Sequence, residues 1–158
     1  MTNAFFVALT MAAAVGSGLV GGFFFAFSVV VMKALGRLAP EHAIAAMNSI
    51  NVVVRNPWFF AAFFGTAAAS IVLTAHAALN WPAGAAYLVT GSVFYLVGVI
   101  AVTMAFNVPL NNALAAVDAA GTEGAALWTR YLSVWTAWNH VRTVAPLLAA
   151  ASFIIALR

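Results

Sequence analysis

The sequence lacks cysteine altogether and has only three acidic residues among 158. Without cysteine the chain can form no disulfide, no thiolate metal site and no cysteine nucleophile. The acids are Glu41, Asp118 and Glu123, and all three fall at predicted loop or helix-start positions. No carboxylate pair therefore faces a bundle interior, which excludes the di-iron pattern of Glu and Glu-x-x-His residues. The missing intramembrane acid also argues against a proton-coupled transporter.

Charged residues of either sign are scarce, because 66% of the chain is apolar and only 6% is charged. No soluble domain of this size has that composition, so the bilayer is the solvent. Runs of about eighteen or more uncharged residues predict membrane spans. The predicted fold is all-α, a single integral membrane domain over residues 1–158 whose four transmembrane helices cover about 4–32, 57–78, 84–106 and 129–157. The basic residues flank these spans, so no nucleic-acid partner is expected.

Short interfacial helices are predicted in the first and third loops. Pro40-Glu41 opens the first, because proline suits the first helical position and an acid suits the first turn. In the third loop, Pro109 removes a backbone donor and disfavours helix at the preceding residue. We therefore expect the third span to break or kink there, and a separate short helix to follow from Leu110 to Ala120.

Loop charge predicts the orientation in the membrane. Lys33, Arg37, Arg55 and Arg130 flank one side of the predicted bundle, and only Arg158 flanks the other. The positive-inside rule then puts the first and third loops in the cytoplasm. The prediction is a protein of the cell (inner) membrane with both termini outside.

Glycines cluster in the first span. Gly16-Ser17-Gly18-Leu-Val-Gly21-Gly22 matches the dinucleotide-binding pattern by letter. That match has no structural support, since it lies within a membrane run with no preceding strand and no βαβ unit. Gly18 and Gly22 form a G-x-x-x-G ridge at which another helix can approach closely. If the approaching helix belongs to a second copy of the chain, the ridge forms the contact of a homo-oligomer.

An aromatic and polar stripe opens the last span. Trp135, Trp138, Asn139 and Arg142 are three or four residues apart, so they share one face of a helix. About 16 residues follow Arg142, roughly 24 Å of helix, which carries it past the midplane of a ~30 Å core. Arg142 either snorkels beside an aromatic belt or lines a pocket within the bundle. We expect the pocket, and we expect His140 to point elsewhere.

Polar residues of three segments converge on the predicted cytoplasmic end of the bundle, because the topology is up-and-down. They are Asn48, Asn51, Arg55, Asn56, Asn107, Asn111, Asn112, Asn139 and Arg142. Buried amides and guanidinium groups are costly unless paired, which favours a shared polar cavity. The alternative is that several of these asparagines are helix caps, as Asn56-Pro57 indicates for Asn56.

Four sequence blocks, distributed over the whole chain, form a recognisable pattern. They are FAFSxxVMKAL from Phe25 to Leu35, AMNxINxxVRNPxF from Ala46 to Phe59, NVPLNNxL from Asn107 to Leu114, and WxxYxxxWTxWNxxRT from Trp128 to Thr143. Together they resemble the anthrone oxygenase family of small four-helix membrane proteins. The family pattern has proline where this chain has Lys33.

The resemblance implies a cofactor-independent, metal-free oxygenase that acts on a lipophilic aromatic substrate such as an anthrone or a quinol. An anthrone is a weak carbon acid whose enolate reduces O₂, so the site must deprotonate it and stabilise an oxyanion. Asn139, Arg142 and His140 are the implied catalytic candidates, and Trp135, Trp138, Asn48, Asn51, Asn107 and Asn111 the substrate-binding ones. The base is left open, because His140 faces away from the stripe. A non-enzymatic membrane protein that binds a lipid, a quinone or haem is the alternative.

Overall fold

Four long apolar helices and one short helix form the bundle in this computed structural model, which describes residues 4–158. The long helices are α1 (Ala4–Leu35), α3 (Pro57–Asn80), α4 (Ala85–Ala116) and α5 (Thr122–Ala156), and the short helix is α2 (Pro40–Val53). Residues 4–158 contain no strand. The predicted all-α fold with four helices able to span a membrane is confirmed.

Local sequence signals set where several helices begin. The side-chain oxygen of Asn56 accepts hydrogen bonds from the backbone N–H groups of Trp58 and Phe59, both at 3.0 Å, and Pro57 takes the first helical position of α3. These bonds satisfy donors that have no partner within the helix, so Asn56 is the predicted N-cap. Gly84 precedes α4 with φ +81, and a Cβ there would lie 2.8 Å from the carbonyl oxygen of Ala156. Glycine is required at this turn because only it tolerates both constraints.

The four long helices form a ring in which sequential neighbours pack together. Helix α1 packs on α3 and α5, and α4 also packs on α3 and α5. Helix α2 lies across one end of this ring, against α5 and the last turns of α4. That end is the one where the asparagine-rich segments converge, so α2 closes the polar end of the bundle.

Helix α4 does not break at Pro109, so of the two expected outcomes, a break or a kink, the break is wrong. It continues to Ala116, and the segment predicted as a separate short helix is its last turns. Two π-helical stretches precede the proline, Leu96–Ala101 and Thr103–Asn107. In the second, the N–H of Val108 bonds to the carbonyl of Thr103, five residues back. These wider turns change the hydrogen-bond register before Pro109, so the helix accommodates a residue that cannot donate.

The outer surface of the bundle is apolar, as a membrane-facing surface must be. Leu19 is 63% exposed, Ile71 59% and Val97 58%, and each lies within a long helix. Inside, buried apolar side chains form two clusters, one around Phe24 and Phe63 and the other around Met47 and Trp135. The four apolar helices are compatible with an integral membrane protein.

Close contacts between helices use other glycines than the G-x-x-x-G pair. A Cβ on Gly16 would overlap the Thr66 side chain, and one on Gly21 would lie 3.1 Å from Leu147. Gly18 and Gly22 have no atom within 4 Å of a Cβ built on them. No helix of this chain therefore packs closely on the predicted ridge, and association of two copies through it stays a prediction.

Candidate functional site

A cavity of about 250 Å³ lies at the end of the bundle that α2 covers. It is bounded by residues of both buried clusters, and all five helices contribute to its wall. Seven phenylalanines line it, namely Phe23, Phe24, Phe27, Phe59, Phe60, Phe63 and Phe64. Five polar residues line it as well, namely Asn51, Arg55, Thr103, Asn111 and Arg142. An aromatic chamber with few polar groups is the usual form of a small-molecule site.

Arg142 is the charged group in the buried part of this wall. Its side chain is 4% exposed, and Nη2 donates to Oδ1 of Asn139 at 2.9 Å. Nη1 donates to Oγ1 of Thr103 at 3.3 Å. The guanidinium carbon lies 4.3 Å from the ring centroid of Phe24 and 5.0 Å from that of Trp135. Arg142 is therefore paired inside the bundle as expected, although its partners are not the asparagines of α2 or of the third loop.

Asn139 connects Arg142 to α1. Its Nδ2 donates to the carbonyl of Phe24 and to the hydroxyl of Ser28, each at 2.8 Å, while its oxygen accepts from Arg142. A π-helical stretch begins at Phe27, and such turns free carbonyl groups from their usual helical partners. The Ser28 hydroxyl also lies 3.1 Å from that of Thr143. Asn139 thus holds the guanidinium by bonds to a second helix, and it is itself outside the cavity wall.

A second network fixes Asn111 on α4. Its Oδ1 accepts hydrogen bonds from the hydroxyl of Tyr131 and from Nε1 of Trp135, both at 2.7 Å. Two donors that meet at one atom identify that atom as the amide oxygen. The NH₂ group of Asn111 makes no hydrogen bond within residues 4–158 and remains a free donor in a residue that lines the cavity.

Two unpaired buried donors belong to residues that line the cavity, whereas the unpaired acceptors Oδ1 of Asn48 and Oδ1 of Asn107 belong to residues outside its lining. Nε of Arg142 and Nδ2 of Asn51 are buried and make no hydrogen bond of ordinary geometry within the described chain. No acid and no histidine line the cavity among residues 4–158. The guanidinium therefore has no carboxylate partner in that part of the chain, where the one close contact between a basic and an acidic side chain joins His42 and Glu41 at the surface. Such a wall suits a ligand that presents an acceptor or anionic oxygen.

The structure separates the sequence-predicted site residues into three groups. Trp135, Asn51, Asn111 and Arg142 line the cavity. Asn48, Asn107 and Asn139 stand behind it: Asn48 donates to the carbonyl of Leu114, and Asn107 to that of Trp135. Trp138 and His140 lie outside the wall.

Trp138 was expected in the pocket wall and lies outside it, whereas His140 points away from the cavity as its helix spacing predicted. Trp138 stacks on Phe106 with ring centroids 3.6 Å apart, and neither residue lines the cavity. His140 is exposed on the outside of α5. Its assignment as the base stays a prediction, which this position does not support. The other histidines are also remote, since His42 is exposed and His76 stacks on Phe6. In residues 4–158, no three His, Cys, Asp or Glu side chains form a group able to hold a metal ion.

Three polar contributors were not singled out from the sequence. Thr103 accepts from Arg142, Tyr131 orients Asn111, and Ser28 accepts from Asn139. Thr103 was visible as an isolated polar residue in an apolar span, and Tyr131 and Ser28 occur in the four quoted sequence blocks. The partners to which these three residues bond depend on the π-helical turns. The 3.6-residue spacing that predicts helix faces does not reveal such turns.

The fold and the cavity define a class of small four-helix membrane protein with a buried arginine and a donor-lined aromatic chamber. The family model described as anthrone oxygenase matches residues 57–152, more than half of the chain. The chain belongs to the anthrone oxygenase family. No curated protein and no solved structure matches it. The matched region contains Thr103, Asn111, Trp135 and Arg142, while Phe24 and Asn51 lie before it.

Proposed function

We propose that this protein is a membrane-embedded oxygenase that uses O₂ and no cofactor to oxidise a lipophilic aromatic substrate of the anthrone or quinol type. The observation that carries the proposal is the guanidinium of Arg142, which meets no carboxylate and lies in the wall of an aromatic cavity. Family membership supports the reaction class. The cavity volume of about 250 Å³ is near the ~300 Å³ lower limit of ligand pockets, so a compact ring system fits better than a whole phospholipid.

The polar wall explains how such a substrate is activated. The carbonyl oxygen of an anthrone would accept from Arg142, with Asn51 and Asn111 as additional donors, while the phenylalanines contact its rings. Loss of a proton from the methylene carbon then gives an enolate whose negative oxygen the same donors stabilise. Because no acid or histidine lines the cavity in residues 4–158, we assign proton acceptance to a water molecule within the cavity.

The reaction with oxygen needs no further protein group. The enolate transfers an electron to O₂, and the resulting radical pair forms a carbon–oxygen bond to give a peroxide. Proton return and loss of water convert the former methylene carbon into a carbonyl. One O₂ is consumed and one water is released for each anthrone, so atoms and electrons balance without another reductant.

Arg142→Ala tests this assignment. Removing an oxyanion donor typically lowers turnover by about 10²–10³-fold, so oxygen uptake and quinone formation with emodin anthrone should fall by that factor. Arg158→Ala, which removes an exposed arginine, is the control and should match the wild-type rate. If Arg142→Ala does not fold, Asn51→Ala removes another cavity donor and should also lower turnover.

Chelation and ligand analysis distinguish the alternatives. Activity that persists after metal chelation and falls in Arg142→Ala supports the oxygenase. A wall made of donors without a base equally suits a quinone carbonyl held without turnover, which favours a quinone-binding protein as the second candidate. No oxidation of any anthrone, together with a quinone or lipid that co-purifies, would replace the oxygenase by that candidate. Activity lost with the chelator would assign the chemistry to a bound metal.

We further propose that the protein lies in the cell (inner) membrane with both termini outside. The support is the loop charge described above, since four basic residues flank the end that α2 covers and one flanks the other. In this orientation the cavity lies in the cytoplasmic half of the bilayer.

A further inference from the structure

The ring of helices is not closed equally along its length. Helix α3 packs closely on residues 85–95 of α4, at the end of the bundle away from the cavity. Along the π-helical stretches Leu96–Ala101 and Thr103–Asn107 the two helices make few contacts. The start of α3 and the second half of α4 therefore diverge beside the cavity.

Side chains at this gap belong to the cavity and to the outer surface at once. Phe60 and Phe64 on α3 line the cavity and are 40% and 51% exposed. Met104 on α4 lines it and is 60% exposed. These apolar surfaces within membrane helices face acyl chains, so the cavity reaches the lipid between α3 and α4.

Other elements form the remaining sides of the cavity. Met47, Ile50 and Asn51 of α2 form its wall at the end of the bundle. Toward α1, a second depression lies near the start of α3, and the rings of Phe23 and Phe59 separate it from the cavity with centroids 4.9 Å apart. Arg55, an exposed residue that lines the cavity, is the charged group at its edge.

We infer that the gap between α3 and α4, lined by Phe60, Phe64 and Met104, is a lateral portal through which the substrate passes from the bilayer into the cavity. The inference rests on the proposed function for the identity of the substrate, but the portal is defined by geometry alone. A molecule that enters this way meets the guanidinium of Arg142, the buried charged donor of the wall, once its leading edge is inside the cavity. Its acceptor oxygen therefore leads, and the opposite edge of its ring system stays at the lipid-facing mouth.

This direction defines the substrate class more narrowly. Alkyl groups on the outer rings, on the side away from the acceptor oxygen, project into acyl chains and are accommodated. A charged group at that edge would remain in lipid, where it is costly. The portal thus selects aromatic ketones or enols that partition into membranes and carry their polar oxygen on one side.

The absence of native cysteine allows a direct test of access. Phe63→Cys places a single thiol at a cavity residue that is 5% exposed, and Met47→Cys provides a second reporter at 1% exposure. In proteoliposomes, each thiol is reacted with a bilayer-soluble benzyl methanethiosulfonate and, separately, with a water-borne sulfonatoethyl analogue. The anionic reagent is the stringent choice, because the arginines would attract it along any aqueous route.

Two substitutions that narrow the portal, called plugs below, and a matched control complete the design. Met104→Trp and Phe64→Trp enlarge portal side chains, whereas Val97→Trp enlarges an equally exposed residue of α4 outside the cavity. The bilayer-soluble reagent should modify the reporters, and the plugs should slow it about tenfold, equivalent to ~1.4 kcal/mol in the barrier. Val97→Trp should leave the rate unchanged. Thermal melting in detergent verifies that each variant is folded.

The outcomes separate the portal from the reaction. Fast modification by the anionic reagent, or plugs that act no more than the control, would overturn the portal even if anthrones are oxidised. Slowing at both plugs with no oxidation of any anthrone would leave the portal established and remove the proposed function. If both hold, the plugs should raise KM for emodin anthrone, whereas Val97→Trp should leave KM near the wild-type value.

Discussion

Two tryptophans on one helix face take different positions because a helix stripe is wider than the cavity wall. Trp135 and Trp138 are three residues apart, and their spacing predicts a shared face. Trp135 is fixed by the Asn111 oxygen and lines the cavity. Trp138 lies at the margin of the stripe, where Phe106 covers it. Spacing identifies the face of a residue, but its partner on the neighbouring helix decides whether it reaches the site.

His140 offers a test at the same scale. It is exposed on the outside of α5, so His140→Gln should oxidise emodin anthrone at a rate close to that of His76→Gln, a matched change at the other end of the bundle. A positioned general base typically contributes about 10²–10⁴-fold. A loss of that size confined to His140→Gln, measured by oxygen uptake, would make His140 the base and remove water from that role.

The sequence predicted where a helix starts better than it predicted whether a helix continues past a proline. Asn56 acts through its own neighbours, so Asn56-Pro57 sufficed to place the start of α3. Pro109 was predicted to break or kink α4, yet the change to π-helical bonding one turn earlier lets the helix continue. The π-helical stretch also makes tertiary contacts, among them the bond from Arg142 to Thr103. A local rule for proline contains no information about those contacts.

Two glycines of α1 make a matched pair for testing helix packing. A Cβ on Gly16 would overlap the Thr66 side chain of α3, whereas Gly18 faces open space. Gly16→Ala should therefore lower the melting temperature in detergent, because α1 and α3 must separate. Gly18→Ala should leave the melting temperature unchanged or raise it, since alanine is favoured over glycine in a helix by about 0.5–1 kcal/mol.

The same pair addresses association of two copies. If copies meet at the Gly18 and Gly22 ridge, Gly18→Leu should shift a dimer to a monomer in mass photometry without lowering the melting temperature. A monomeric wild type, or a dimer that Gly18→Leu leaves intact, would contradict association at that ridge. Equal melting temperatures for Gly16→Ala and Gly18→Ala would contradict the packing described for α1 and α3.

For the whole molecule, the apolar composition was sufficient to predict the four-helix architecture but not the arrangement of the site. Uncharged runs identified four spans, because each must satisfy its backbone within a helix. The convergence of asparagines at one end also followed from up-and-down topology. Asn107 and Asn139 nevertheless stand behind the cavity and Asn51 in its wall, since their positions depend on how the helices are rotated against each other. Sequence spacing alone does not determine that rotation.

Orientation is the whole-molecule prediction. Both termini should lie outside, because the basic residues concentrate at the end of the bundle that α2 covers. A fusion after Arg158 should give alkaline phosphatase activity and no green fluorescence. A fusion after Ala119, in the loop before α5, should give the opposite result. A fluorescent fusion at Arg158 without phosphatase activity would reverse the orientation and place the cavity in the outer half of the bilayer.

The hydrogen bonds around Arg142 have a consequence for biosynthesis. Helix α5 is the last of the four long helices to leave the ribosome, and it carries an arginine whose insertion costs an isolated helix about 2.5–3.5 kcal/mol. Asn139 is made three residues earlier on the same helix, while Phe24 and Thr103 belong to helices already synthesised. The groups that stabilise the guanidinium therefore precede it in translation, so we expect the charge to enter the bilayer after its acceptors and its aromatic neighbours have been made.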